Sequence, residues 1–334
     1  MKAYINEISY YLPDKVLTNE DLIKKFPEWT TEKVNSKLGI KQRHIASENE
    51  TSGDMAIKAA EKLFELKSID KDSVDFILFC TQSPDYFLPT TACIIQSKLG
   101  LRKNIGALDF NLGCSGYIYG LSIAKGLISA GIAKNILFLT SETYSRYIHV
   151  EDKVNLSIFG DAATATLIST DGFAEIGDFE LGTDGNGWDN LIVKTGCAKF
   201  PKNLNSFDID ESGNLRSSDH LYMNGSNVFN FTLATIPDLI KSLIIKTKLQ
   251  NNQINFFVFH QANKFMLDTL RKLCRIPEEK FYVDMEDVGN TVSSTIPIAL
   301  KRLKQKNNLN KGNNIILAGF GVGLSWGACV LKMK

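Results

Sequence analysis

The stretch that most restricts how this chain folds runs from Ile105 to Gly131, IGALDFNLGCSGYIYGLSIAKGLISAG. Residues 105–110 read as a short buried strand, apolar apart from Asp109, and Asn111 to Gly113 are turn formers. Beyond them a 3.6-residue stripe of Ile118, Leu121, Ala124, Leu127 and Ile128 predicts a helix that stops at Gly131. Cys114 stands where strand gives way to helix. Unpaired amides and the positive end of the helix dipole at such a junction favour the thiolate, the nucleophilic form. Gly113 and Gly116 clear side-chain bulk from either side. Most cysteines are small buried hydrophobes, but this setting points to a nucleophile.

A strand–turn–helix unit of this kind needs neighbours, and the chain is long enough to supply them. Its 334 residues are 44% hydrophobic and 22% charged, which fits a soluble globular protein of two domains or one large α/β body. The net charge of +1 gives no electrostatic case for nucleic acid or membrane binding. No apolar run reads as a bilayer span, and the polar start MKAYINEISYY lacks the apolar core of a signal peptide, so a cytoplasmic location is expected. Cysteines 80, 93, 114, 197, 274 and 329 form no CxxC pair, which argues against a zinc site or a disulfide framework. No metal and no cofactor are expected.

In chain order, strands are predicted over 2–10, 74–80, 105–110, 135–140 and 162–169. Between them lie a polar helical stretch 21–38 broken at Pro27, helices over 54–66 and from Pro89 to about 99, the Cys114 helix, and a loop over 142–155. Strands alternating with helices imply a parallel sheet covered on its faces. Residues 1–170 form one half. The second, 171–334, opens with a polar, glycine-rich surface excursion over about 178–218. A long helix follows over 222–249 with a kink at Pro237, then a strand 255–259 ending at His260, a helix 263–274, a Gly289–Asn290 loop, a helix 293–306, and strands 314–318 and 327–333. Both halves place a strand–helix junction in a comparable position.

Two further motifs join Cys114. His260, in FVFHQANKF, leaves the end of a buried strand, the usual address of ligand-facing residues in open α/β sheets. Asn290, in VGNTVSSTIPIAL, sits in a Gly-Asn turn that opens a helix. A thiol, an imidazole and a carboxamide together can carry an acyl group, move protons and hold an oxyanion. The run GFGVGLSWG at 319–327 fails as a dinucleotide fingerprint, because GxGxxG needs glycine at Leu324 and the run leads into a strand. It reads as a backbone bend close to a substrate, with amides free for an oxyanion.

DFNLGCSGYIYGLSIA, FVFHQANKFML, VGNTVSSTIPIAL and GFGVGLSWG resemble the four signature regions of β-ketoacyl-acyl-carrier-protein synthase III. So do ISYYLPDKVLTNEDL, LGIKQRHIASENET and IFGDAATATLI, in the same order from end to end. The resemblance implies a thiolase fold: two similar βαβ-rich halves in five layers, α-β-α-β-α, in a homodimer. It also implies a triad of Cys114, His260 and Asn290, with an oxyanion hole from the backbone N–H groups of Cys114 and Gly323. The implied reaction moves an acyl group from a coenzyme A or carrier-protein thioester to Cys114, then condenses it with a decarboxylating malonyl thioester.

Departures from the family pattern fall at the substrate mouth. Lys33 and Lys37 stand where a Trp and an Arg usually clamp the adenine, and they cannot stack the same way. Lys264 or Phe265 replaces a phosphate-binding Arg after the HQAN motif, next to Asn263, and Lys153 replaces another. Leu88, before Pro89, stands where the family often has a Phe that limits the primer across the dimer interface. The helix after His260 carries Lys264, Arg271, Lys272 and Arg275, a face suited to an acidic acyl carrier protein, with Lys264 and Arg271 seven apart and Arg275 at i+4 from Arg271. Two other readings compete. One is a specialised acyltransferase of a polysaccharide or secondary-metabolite pathway that uses the same triad. The other is a cysteine hydrolase, since Cys–His–Asn also serves papain-like proteases.

Overall fold

The computed structural model describes the chain except residues 68, 204–206, 210–214 and 307–308, and except the side chains of residues 33, 67, 208, 215 and 216. Ten strands form its main sheet: β1 (Tyr4–Tyr11), β2 (Phe76–Cys80), β3 (Gly106–Phe110), β4 (Asn135–Glu142), β5 (Ala162–Ser169), β6 (Ala174–Thr183), β7 (Ile254–Phe259), β8 (Phe281–Tyr282), β9 (Asn314–Gly321) and β10 (Ser325–Met333). Six helices cover it: α1 (Ser52–Lys67), α2 (Thr91–Lys98), α3 (Gly116–Ser129), α4 (Gly225–Thr247), α5 (Lys264–Leu273) and α6 (Thr295–Gln305). The order β-α-β-α-β-α-β-β therefore occurs twice. Strand order repeats as well, β3-β2-β4-β5-β1 in the first half and β8-β7-β9-β10-β6 in the second. In each half the first three of these run parallel and the last two pair antiparallel. The halves meet where β1 pairs antiparallel with β6 through Tyr4 and Ile5.

Strand periodicity sorts the core into layers. Leu78, Cys80, Ile136 and Phe138 point inward with Val258, Ile315 and Leu317, against Tyr117, Ile118 and Leu121 of α3 and Ile296, Ala299 and Leu300 of α6. Their alternates face outward. Ile77, Phe79, Leu137 and Leu139 pack on α1, while Phe257, Phe259, Ile316 and Ala318 pack on α4 and α5. Strands buried on both faces are uniformly apolar, which is why these runs show no alternation in the sequence. The result is five layers: α1 and α2, sheet, α3 and α6, sheet, α4 and α5.

Several expectations change. Residues 105–110, expected as a buried strand, are half-exposed, because β3 is the edge of the sheet with a partner on one side only. Asp109, its polar exception, accepts from the N–H groups of Thr91 (2.6 Å) and Ala92 (2.7 Å) and so anchors the start of α2. The 142–155 loop holds a 3₁₀ turn at Tyr144–Tyr147 and the start of a short helix, Lys153–Ile158. Residues 178–183 continue β6 along β10, so the surface excursion begins only at Asp184. Within it, Leu191–Ile192 pairs with Tyr222–Met223 and Phe207–Ile209 pairs with Leu215–Ser217. Finally, α4 spans 23 residues and is long and apolar enough, by length and composition, to cross a bilayer, which the sequence reading missed. Its Ile236, Leu239, Ile240 and Leu243 pack on the sheet as an ordinary core face. Pro237 lies inside it.

Candidate active site

Cys114 sits between β3 and α3, 5% exposed, where the end of β9 crosses it. A Cβ placed on Gly319 would lie 2.7 Å from the Cys114 carbonyl oxygen, and one on Gly321 would lie 3.0 Å from Cys114 Cβ and 3.1 Å from its Sγ. Gly319 and Gly321 thus let this strand approach Cys114 closely. That run is the β9–β10 hairpin. Gly323, at φ 137°, occupies its turn, and Ser325 Oγ, just beyond, donates to Val322 O (2.8 Å) and lies 2.6 Å from Ser115 Oγ. The two segments assigned to the oxyanion hole are therefore joined by a hydroxyl pair.

His260 ends β7, held by its own N–H donating to Ala318 O (2.7 Å). Its Nδ1 lies 2.8 Å from Thr295 Oγ1, and its ring meets Phe320 edge-on at 5.7 Å. Burial alone depresses it to about 3, so the ring is neutral. Asn290 is fixed at both backbone ends, its N–H donating to Ile158 O (2.9 Å) and its carbonyl accepting from Gly160 N–H (3.0 Å). Gly289, at φ 69°, makes that contact possible. Asn290 Oδ1 accepts from the Val292 N–H (2.9 Å), which leaves the carboxamide Nδ2 directed to His260 Nε2 at 3.5 Å. Val292 and Phe159 in turn pack in one apolar cluster with Cys114. Three segments far apart in sequence close on one point.

The electrostatics differ from the expected thiolate. Burial pushes the Cys114 thiol up to about 12, and the nearby Glu142 carboxylate adds to this, while the residue's own backbone N–H pulls the other way. Desolvation outweighs the helix terminus, so Cys114 rests as a thiol. Glu142 is fully buried and accepts from Gln82 N–H (3.0 Å), Ser83 Oγ (3.2 Å) and Ser293 Oγ (3.0 Å), yet burial pushes it up to about 8. Sequence reasoning missed Glu142, Thr295 and the Ser115–Ser325 pair. The signal for Thr295 was the hydroxyl-rich TVSST directly after Asn290. A glutamate at the end of an apolar strand, FLTSE, was the signal for Glu142.

The remaining predicted residues lie further out. Asn263 caps α5, its Oδ1 accepting from Met266 N–H (2.9 Å). Lys264 is exposed, and its stem lies against Gly39 at the end of the Thr31–Leu38 helix, which also carries the exposed Lys37. The Lys33 side chain lies outside the described residues. Lys153 is tied to Glu28 (2.9 Å), so its charge is shared. Leu88 is 82% exposed beside Phe87 at 83% and Tyr86 at 62%. Arg271 donates to Ile276 O (3.3 Å) and pairs with Glu278 (3.5 Å). The i+4 argument for Arg275 fails, because α5 ends at Leu273 and Arg275 turns away at φ 53°. Lys272 is exposed. Lys264 and Arg271 do share a groove, but Asp268, Asp284, Glu286 and Asp287 line it too, so that face is of mixed charge.

Comparison with known proteins decides between the readings. A family model described as 3-oxoacyl-[acyl-carrier-protein (ACP)] synthase III matches residues 108–185, and its C-terminal companion matches 244–333. The β-ketoacyl-[acyl-carrier-protein] synthase III of Fusobacterium nucleatum is 35% identical over 332 residues, covering 98% of both chains. The chain belongs to the β-ketoacyl-acyl-carrier-protein synthase III family. That of Chlamydia caviae is 34% identical, covering 99% of this chain and 97% of the relative. Among solved structures, a crystal structure of a 3-oxoacyl-(acyl-carrier-protein) synthase III at 47% identity superposes with TM-score 0.97 over 100% of both chains. One from Burkholderia xenovorans, 33% identical, gives 0.92 over 100% of this chain and 95% of the other. The five layers are thus a thiolase fold, and the chain is an acyl-transferring condensing enzyme. Membership leaves the cysteine-hydrolase reading without support.

Proposed function

We propose that Cys114 is the residue acylated, that His260 and Asn290 act in decarboxylation and condensation, and that the reaction starts a fatty acid chain. The observation that carries this is the fixed carboxamide of Asn290, whose donor end faces His260 beside the cluster that holds Cys114. Cys114 attacks an acyl thioester and the carbonyl oxygen collects charge against the backbone amides of Cys114 and Gly323. A malonyl thioester then loses carbon dioxide. Its enolate oxygen is held by Asn290 Nδ2 and by His260, and its carbon attacks the acyl group on Cys114. Asn suits this role because its NH₂ donates at any pH.

The halves 1–170 and 171–334 supply the nucleophile and the Asn–His pair respectively. The exposed Tyr86–Phe87–Leu88 segment and the open edge β3 support a homodimer in which Leu88 borders the partner's acyl pocket. Lys33 and Lys37 in place of the adenine clamp, and Lys153 shared with Glu28, favour a donor carried on acyl carrier protein over free coenzyme A. Lys264 and Lys272 are the exposed cations of its docking face, with Arg271 held back by Glu278. The cytoplasm is where such substrates meet the enzyme. The test is Asn290→Ala: it should take up acyl label at Cys114 but stop releasing carbon dioxide from a malonyl thioester. Normal condensation by that variant overturns the assignment.

A further inference from the structure

Val292 holds φ 55°, a backbone conformation that a β-branched residue rarely adopts. In that conformation it bonds both Asn290 and Thr295. Its N–H donates to Asn290 Oδ1 (2.9 Å), and its carbonyl accepts from the Thr295 hydroxyl (3.0 Å). Thr295 Oγ1 lies 2.8 Å from His260 Nδ1, and all four residues are buried. A hydroxyl has one proton. Val292 O can only accept, so the one arrangement that satisfies both contacts has the hydroxyl donate to Val292 O and accept from the imidazole.

We propose that Thr295 is a positioning residue that holds His260 as the Nδ1–H tautomer, so that Nε2 is the atom that takes the Cys114 proton and later returns it. This rests on the proposed roles of Cys114 and His260. A neutral ring carries one N–H, and an acceptor-only neighbour at Nδ1 keeps it there. The lone pair of Nε2 then faces the site, where Asn290 Nδ2 stands 3.5 Å away. Because burial keeps the Cys114 thiol protonated at neutral pH, that lone pair is what the nucleophile needs. As Sγ bonds to the thioester carbonyl carbon, the S–H proton passes to Nε2. The old C–S bond breaks, and the departing thiolate takes a proton from water. The ring now has N–H on both nitrogens: Nδ1–H to Thr295, and Nε2–H to the enolate oxygen that decarboxylation creates. When the new C–C bond expels Cys114 as thiolate, Nε2 returns the proton and the ring is neutral again. Thr295 is the acceptor throughout. It plays the part that a carboxylate plays behind the histidine of a serine protease, without adding a negative charge.

The experiment is ¹⁵N NMR of histidine-labelled enzyme, with the His260 signals identified by their loss in His260→Ala, together with the rate of Cys114 alkylation by iodoacetamide. Wild type should show a protonated Nδ1 and a bare Nε2. Thr295→Val should move the proton to Nε2 and slow alkylation roughly 10²-fold, the lower end of what general base catalysis supplies, and Thr295→Ser should restore both. A wild-type ring protonated at Nε2 overturns the proposal even if Thr295→Val fails to fold. So does a folded Thr295→Val with unchanged tautomer and alkylation. Neither readout uses an acyl or malonyl substrate, so failure here is distinct from failure of the condensation reading, which would show as an unlabelled Cys114.

Discussion

Glu142 gives the account a test in stability. Its carboxyl is fully buried near Cys114, and burial raises it from an ordinary 4.5 to about 8 despite three hydrogen bonds. An acid whose folded value is raised binds its proton more firmly in the folded chain than in the unfolded one. Its contribution is full below pH 4.5 and is lost as the pH climbs to about 8. His260 has the opposite sign. Its value falls from 6.5 to about 3, so its contribution is complete above pH 6.5 and is lost on acidification. Between 4.5 and 6.5 the two slopes oppose each other, and above 6.5 that of Glu142 stands clear. From pH 6.5 to 8, at about 1.4 kcal/mol per unit, ionising Glu142 costs the fold about 2 kcal/mol. Glu142→Gln keeps the shape and an acceptor oxygen and removes the titration. Urea unfolding at half-unit steps across that window should show wild type losing about 2 kcal/mol relative to the variant. A difference that is flat, or that grows in the other direction, refutes the argument that burial keeps this carboxyl neutral.

Three further outcomes follow from the geometry. Gly321→Ala places a Cβ 3.0 Å from Cys114 Cβ and 3.1 Å from Sγ, so the chain should fold with a normal circular dichroism spectrum while acylation of Cys114 slows on the order of 10²-fold. Ser325→Ala breaks the link between the Cys114 turn and the Gly323 turn. It should slow acyl transfer about tenfold, short of the 10²–10³ lost on deleting a donor, yet leave iodoacetamide alkylation unchanged, since alkylation builds no oxyanion. Gly126 lies inside α3, exposed, with nothing within 4 Å of an added Cβ. Gly126→Ala should therefore stabilise the enzyme by about 0.5–1 kcal/mol at unchanged activity, read from denaturant midpoints.

Local chemistry made the elements readable, and long-range pairing hid the rest. The apolar runs 74–80, 135–140 and 255–259 announced themselves as strands because both faces of the strands they form are buried. Cys114, His260 and Asn290 stood out because each occupies a junction of strand, turn and helix. Residues 178–183 were misread because β6 is half-exposed there, and its polar residues look like loop until β10 pairs with them. The exposure of β3 was hidden for the same reason, since a strand's sequence does not say whether it has one neighbour or two. Burial also decided the state of the thiol. Position at a helix start argued for thiolate, but the desolvation that closes over Cys114 comes from segments far away in the chain, such as those of Tyr144 and Gly321. Thr295 acts on His260 through 35 residues of separation, and no local pattern names that partner.

The most direct test of the central claim is the mass of the intact enzyme after exposure to an acyl carrier-protein or coenzyme A thioester with no malonyl substrate present, followed by peptide mapping. One acyl group per chain is expected, on the peptide that carries Cys114, absent in Cys114→Ala and discharged when a malonyl thioester is added. Acyl label on any of the other five cysteines, persisting in Cys114→Ala, would contradict it.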